Sequence, residues 1–300
     1  MNTLPNVLRS ALPSGDGPGV LLRAMARLEK SPRADRLADV LRGAVRALPL
    51  GDARDVLHGR WLGHPLHPAL VQFPIGAWLS AAVLDLVPGQ RRAARLLVGA
   101  GLVGAVPAAI SGWVDWAELR RPQMRVGLVH GAANITGVIC YACSLTARCR
   151  GRHLRGRAWG FCGAGAIAAG GAIGGHLAYR QAAGANHAEQ VAALVPPGWH
   201  RLIALDELSP GRPRRIPLGE VTVVAVRTGD DTVRVLAERC THMGGPLADG
   251  SVVDGCLVCP WHGSTFRLED GWNVTGPATS PQPAFETRIT DGQVQARLAP

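Results

Sequence analysis

The sequence predicts an α + β protein of two domains, a four-helix transmembrane bundle followed by a small all-β domain. Three observations carry this expectation. Four stretches of about the 20 residues a bilayer demands contain no Asp, Glu, Lys or Arg. After Tyr179 the chain changes to short β-rich runs divided by turn residues. Within that second part stand two Cys/His pairs, Cys240-Thr-His242 and Cys259-Pro-Trp-His262.

Composition bounds the function. The 300 residues allow about two domains. Lys and Arg outnumber Asp and Glu by 32 to 22, a net charge of +10 that on its own suggests a nucleic-acid binder. Yet only 18% of residues are charged, against about 25% in ordinary soluble domains. Long uncharged runs with arginines between them suit a membrane protein, with anionic lipid as the counter-charge. The lipid bilayer is therefore the expected partner and nucleic acid is not. An apolar content of 47% without a repeat excludes disorder and a fibrous fold. Seven cysteines, an odd number, argue against a secreted disulfide scaffold and put metal ligation first.

Residues 1–60 contain no secretory apolar core and read as an amphipathic, surface-lying helical segment. Ser31-Pro32 suits a helix start, and Leu37, Leu41, Ala44 and Leu48 follow at helical spacing. Residues 61–180 form the bundle. Its uncharged runs are Trp61–Leu84, Leu96–Val114, Val126–Ala147 and Ala158–Tyr179, making a multi-pass cell-membrane protein. Pro74 and Pro107 are expected to kink the first two helices. Gly171 and Gly175, with Gly99, Gly101 and Gly104, are expected to let backbones approach.

Four spans put both termini on one side. His64 and His67 before helix one, His130 early in helix three and His176 late in helix four all fall on that side, with Asp115 at the same depth. Ionisable groups there are costly and call for a partner or a role. Paired imidazoles suit a haem, here haem b, or a metal; helix-fastening hydrogen bonds, such as an Asp115–His pair, are the alternative. Arginines in loops one and three favour placing those loops inside, whereas the arginine-rich tail without an export signal favours the termini. The expectation adopted is the cytoplasmic face for the tail and the β domain.

Residues 181–197 read as a linker, and 198–300 as the β domain with runs at 201–205, 221–226 and 232–240. Sixteen residues separate His242 from Cys259. Two thiolates and two imidazoles suit the two irons of a 2Fe-2S cluster, or equally one tetrahedral zinc.

The flanks decide between them. Cys240-Thr-His-Met-Gly-Gly-Pro-Leu247 and Cys259-Pro-Trp-His-Gly-Ser-Thr-Phe266 closely resemble the two cluster-binding loops of Rieske proteins, and residues 276–294 resemble the Rieske tail. The resemblance implies that Cys240 and Cys259 bind the buried iron, and that His242 and His262 bind the outer iron through Nδ1. It further implies that Gly244, Gly245 and Gly263 admit the loops to the sulfides, and that Ser264 donates a hydroxyl to a bridging sulfide. Rieske proteins of quinol-oxidising complexes carry an extra, disulfide-bonded cysteine in each loop; at the matching places this chain has Gly245, or its neighbour, and Trp261. It therefore resembles the ferredoxin and oxygenase type, for which a lower potential is expected. Residues 57–86, 111–116, 126–135 and 174–179 resemble an uncharacterised family of bacterial four-helix membrane proteins, sometimes fused to a C-terminal Rieske domain.

These readings imply a membrane-anchored carrier that passes single electrons between its 2Fe-2S cluster and a redox partner protein or quinone. A redox sensor or assembly protein, with the bundle as plain anchor, is the alternative. Only 38 residues follow His262, none of them histidine, so no mononuclear-iron oxygenase domain is expected and enzymatic activity is left open.

Overall fold

The computed structural model describes residues 20–299. Its helices are α1 (Val20–Lys30), α2 (Asp35–Arg46), α3 (Ala53–His58), α4 (Leu66–Leu70), α5 (Gln72–Asp85), α6 (Arg91–Trp116), α7 (Arg121–Cys149), α8 (His153–Gly175) and α9 (Val191–Leu194). A π-helical turn, His176–Arg180, extends α8. Among the described residues, four stretches are long and apolar enough to span a membrane: Leu66–Asp85, Arg91–Trp116, Arg121–Cys149 and His153–Arg180. The break between α4 and α5 falls just ahead of Pro74, where the ring removes a helical hydrogen bond. Pro107, by contrast, lies within an uninterrupted α6.

Contacts divide the described residues into two units: residues 20–48, 70–107 and 119–183, and residues 49–69, 108–118 and 184–299.

In the first unit, α7 and α8 meet along a seam of small residues. A Cβ on Gly163 would come within 3.2 Å of the Gly137 carbonyl, and one on Gly170 within 2.5 Å of the Asn134 amide. The seam therefore uses Gly137, Gly156, Gly163 and Gly170, so backbones approach and dispersion holds them. Gly171 and Gly175, expected to do this, meet no neighbouring helix. On α6, Gly101 accommodates the Trp78 indole and Gly104 the Phe73 ring.

The same unit contains a buried ion pair at span ends. Arg148 donates Nη1 to Asp85 Oδ1 (2.7 Å), Nη2 to Oδ2 and Nε to Ser144 Oγ (3.0 Å). Charge in such a place must be paired, and the bidentate fork satisfies both partners. The amphipathic segment docks by charge as well: Arg125 forks onto Asp35 at 2.7 Å and reaches the Glu29 carbonyl. On α2, Ala38 is buried while Leu37 and Val40 remain exposed, as does Leu48 just beyond the helix.

The second unit holds an antiparallel six-stranded sheet of order β1-β10-β9-β4-β3-β2 and a four-stranded one, β5-β6-β7-β8. Their ranges are β1 His200–Ala204, β2 Arg214–Leu218, β3 Val221–Gly229, β4 Thr232–Ala237, β5 Ser251–Val253, β6 Cys256–Val258, β7 Thr265–Arg267, β8 Asn273–Thr275, β9 Ala284–Thr290 and β10 Gln293–Leu298. The unbroken apolar run of β3 serves two cores at once. Val223 and Ala225 join Leu208, Val235 and Phe285, while Val224 and Val226 join Leu236, Leu257 and Phe266. The stretch read as a linker is partly folded in: Ala188, Val191 and Val195 are buried in the first of these cores. Its alanines and valines at helical spacing supply that packing.

Candidate metal centre

Two loops, 240–245 and 259–264, share one backbone design. Cys240 N–H donates to the Gly245 carbonyl (2.9 Å), and Gly244 N–H returns to the Cys240 carbonyl (2.8 Å). Cys259 N–H donates to Ser264 O (2.8 Å), and Gly263 N–H returns to Cys259 O (3.1 Å). Each loop is thus a tight turn closed on its own cysteine. The fourth residue after each cysteine is left-handed, at φ 70° for Gly244 and 72° for Gly263, a conformation that strains any residue with a Cβ. Gly245 answers a different need: a Cβ there would sit 2.9 Å from Cys259 Sγ and 3.2 Å from the Trp261 ring. Gly245 and Trp261 therefore face each other where a second pair of cysteines would stand, and every described cysteine is a free thiol.

The loops bring the four sequence-predicted ligands together. Cys240 and Cys259 are buried, and their thiols are hydrogen-bonded to one another. Cys240 also accepts backbone N–H bonds from His242 and Met243, and Cys259 from Trp261 and His262. Such donors favour the thiolate form, and the shared proton with its N–H neighbours brings Cys259 down to about 7. Cys240, which keeps that proton and is more deeply buried, is pushed well up.

The His242 and His262 rings lie 4.9 Å apart, nearly perpendicular. Burial drives His242 well below the ordinary histidine range, and the neighbouring imidazoles of His262, His58 and His187 add to this. Its Nδ1 is buried without a hydrogen-bond partner. A buried orphan nitrogen is costly unless something binds it, and Nδ1 is the atom through which the Rieske resemblance has His242 bind iron. Two acceptor-poor thiol sites cushioned by N–H donors and two converging imidazoles fit a 2Fe-2S cluster. Among the described residues, no group of three or more His, Cys, Asp or Glu side chains is placed to hold a metal ion.

Supporting residues that the sequence reading passed over hold these loops. Buried Gln282 donates Nε2 to the Ala237 and Arg239 carbonyls (both 2.7 Å), and its Oε1 accepts Thr241 N–H. Buried Asn273 donates to Ala278 O (2.9 Å). Ser264 is fully buried, and its Oγ accepts Ala278 N–H at 3.1 Å, which leaves the hydroxyl proton to donate. A buried amide inside the proline-rich 276–294 stretch was the available signal, but nothing in sequence says which backbone it serves.

Each of the membrane histidines has a hydrogen-bond partner. His64 Nδ1 pairs with Pro65 O (2.9 Å), and His67 Nδ1 with Ala108 O (2.7 Å), its ring lying where a side chain on Gly112 would be. His130 Nδ1 meets Gly170 O (2.8 Å), with Asn134 against the same ring. His176 gives Nε2 to Glu29 (2.7 Å). Asp115 does find a histidine, but it is His58: Nδ1 and Oδ1 are 2.8 Å apart.

A small antiparallel β domain presenting two cysteines and two histidines on twin loops defines the class: an iron–sulfur protein of Rieske type. Residues 198–286 match the Rieske [2Fe-2S] domain model, and residues 63–187 match the model described as Predicted membrane protein (DUF2231). The anthranilate 1,2-dioxygenase ferredoxin subunit of Burkholderia cepacia is 32% identical over 100 residues, which span 33% of this chain and 92% of that one. Ferredoxin CarAc of Metapseudomonas resinovorans is 29% identical over 97 residues, 32% of this chain and 90% of that one. The solved ferredoxin of carbazole 1,9a-dioxygenase from Nocardioides aromaticivorans IC177 is 25% identical over 33% of this chain and 96% of its own, with a TM-score of 0.32. The chain belongs to the Rieske [2Fe-2S] family and joins that domain to a DUF2231 membrane domain.

Proposed function

We propose that this protein is a membrane-anchored one-electron carrier. Cys240, Cys259, His242 and His262 hold the 2Fe-2S cluster, with Ser264 donating to a bridging sulfide and the glycines shaping both loops. The observation that carries the reading is the convergence of two N–H-cushioned thiols with two imidazoles, one of them holding an orphan Nδ1. The cluster, when bound, supplies reversible one-electron chemistry. The chain's part is to fix the ligands, keep the thiolates dry and leave an imidazole edge toward a partner. Likeness to dioxygenase ferredoxin subunits supports a carrier role.

The partner is read as a redox protein or quinone, and the β domain as lying on the cytoplasmic face. Purified full-length protein in liposomes tests both: the cluster should reduce and reoxidise by one electron with a quinone analogue or a ferredoxin reductase. Failure to cycle with either contradicts the carrier reading and leaves the sensor or assembly alternative. Protease cleavage of the β domain in inside-out vesicles only is the outcome expected for a cytoplasmic face.

His67, His130 and His176 are read as helix fasteners, while His64 bonds only the neighbouring Pro65 carbonyl. The Nδ1-to-carbonyl bonds of His64, His67 and His130 are also the kind that orient metal-bound imidazoles, whereas His176 has committed Nε2 to Glu29. The same preparation decides on haem b: cluster-loaded protein without a Soret band supports the anchor, and a Soret band lost in H130A overturns it.

A further inference from the structure

Residues 52–63 form a strap against the cluster-bearing end of the β domain. Asp55 Oδ1 accepts the Gly276 N–H (3.1 Å), and Arg60 Nη1 donates to the Asn273 carbonyl (3.0 Å). Gly276 in turn lies on the second ligand loop; a Cβ there would fall 2.8 Å from Ser264 Cα and 3.0 Å from the Gly263 carbonyl. The strap is therefore one layer from the loop that presents His262. Asp55 and Arg60 also brace each other at 3.5 Å.

Between those two anchors sits His58. Its side chain is 2% exposed, and its Nδ1 is bonded to Asp115 at the end of α6. The strap is fixed to α6 a second time, Ser111 Oγ donating to the Leu57 carbonyl at 2.8 Å. Gly59, at φ 80°, makes the following turn; a Cβ there would meet His64 O at 2.1 Å, so no other residue fits without moving the strap. The buried imidazole is within electrostatic reach of His242. A buried histidine–carboxylate pair is costly to assemble, and electron carriage by the ligands alone gives it no task.

We propose that His58, seated by Asp115 and by the strap's bonds to residues 273 and 276, is a positioning residue that fixes the polar surroundings of the imidazole-bound iron and so sets the cluster's reduction potential. The proposal rests on the Rieske reading above. Potentials of such clusters respond to nearby charge, hydrogen bonding and exposure. Removing the carboxylate makes the surroundings less negative and favours the reduced cluster. Removing the imidazole leaves the carboxylate without its donor and disfavours it. The two changes therefore act in opposite directions, whereas simple loosening of the strap would move both the same way.

The test is redox titration of the full-length protein followed by EPR. D115N should raise the midpoint potential, H58A should lower it, and H58Q, which can still donate to Asp115, should return it part of the way. The g-values should shift in H58A while cluster content stays at the parent's level. Parental potentials and g-values in both D115N and H58A, or shifts of the same sign, would overturn the proposal. If H58A fails to load, D55N and R60Q, which release the strap and keep His58, must shift the potential; unchanged values there overturn it equally. A parent protein with no Rieske signal would instead defeat the underlying reading, so the two failures are distinguishable.

Discussion

In the 240–264 loops two imidazoles stand 4.9 Å apart, one of them with an unsatisfied ring nitrogen, beside two thiols that share a proton. In the helical part His130 and His176 each close a hydrogen bond of their own, to Gly170 and Glu29. The two places differ in how the imidazoles are already engaged. Where several ligands converge and a buried nitrogen is left over, the protein has prepared a site for something else. Where each imidazole meets a carbonyl or carboxylate, the hydrogen bond already satisfies the cost of burying it.

That contrast can be broken or sharpened by substitution. The largest stability effect is expected in the bundle, where charge is already paired. R148M takes the fork from buried Asp85 and leaves it only the longer Arg157 contact at 3.7 Å, and should cost about 3 kcal/mol, read by thermal unfolding in detergent. The double change D85L/R148M should recover most of it, because the penalty belongs to a buried carboxylate that has lost its hydrogen-bonding fork; a double variant as unstable as the single one would refute this. In the metal centre, Q282A removes a buried amide that serves three backbone groups and should cost about 1–3 kcal/mol, with loss of cluster retention on dilution. G263A, by forcing a side chain into the left-handed turn, should cost about 1–2 kcal/mol. G245A differs in kind: its methyl meets Cys259 Sγ and Trp261, so cluster content should fall more than stability.

The smallest effect concerns α2. The Arg125 guanidinium holds the Asp35 carboxyl below the usual carboxylate range. A lowered folded-state pKa gives stability above the unfolded value, roughly 4, and that stability is lost as pH falls through the folded value. Hydrogen exchange in α2 should therefore rise on acidification below about pH 4 and should be raised already at neutral pH in D35N. A D35N profile identical to the parent's would remove Asp35 as the docking group.

How much of this was legible in the sequence depended on distance along the chain. The ligand spacing, the loop glycines and Ser264 lie within a few residues of one another, so the local pattern carried the chemistry. The four spans were legible because a bilayer imposes one uncharged length. Helix-to-helix relations were not. Gly171 and Gly175 have the expected spacing but the seam uses Gly156, Gly163 and Gly170, because which face of α8 meets α7 is set by packing. The Asp85–Arg148 pair lies 63 residues apart, and Asp115 could be seen to need a histidine while His58 could not be chosen. The stretch 181–197 has a linker's glycines and prolines, yet its alanines and valines find a core that only the folded sheet offers.

The central claim is that the two loops hold the iron–sulfur cluster. EPR of the dithionite-reduced full-length protein in membranes tests it most directly. The account predicts a Rieske signal that is abolished in C240S, C259S, H242A and H262A alike and is undiminished in H130A and H176A. A signal that survives the loop substitutions, or one that disappears with the membrane histidines, would contradict it.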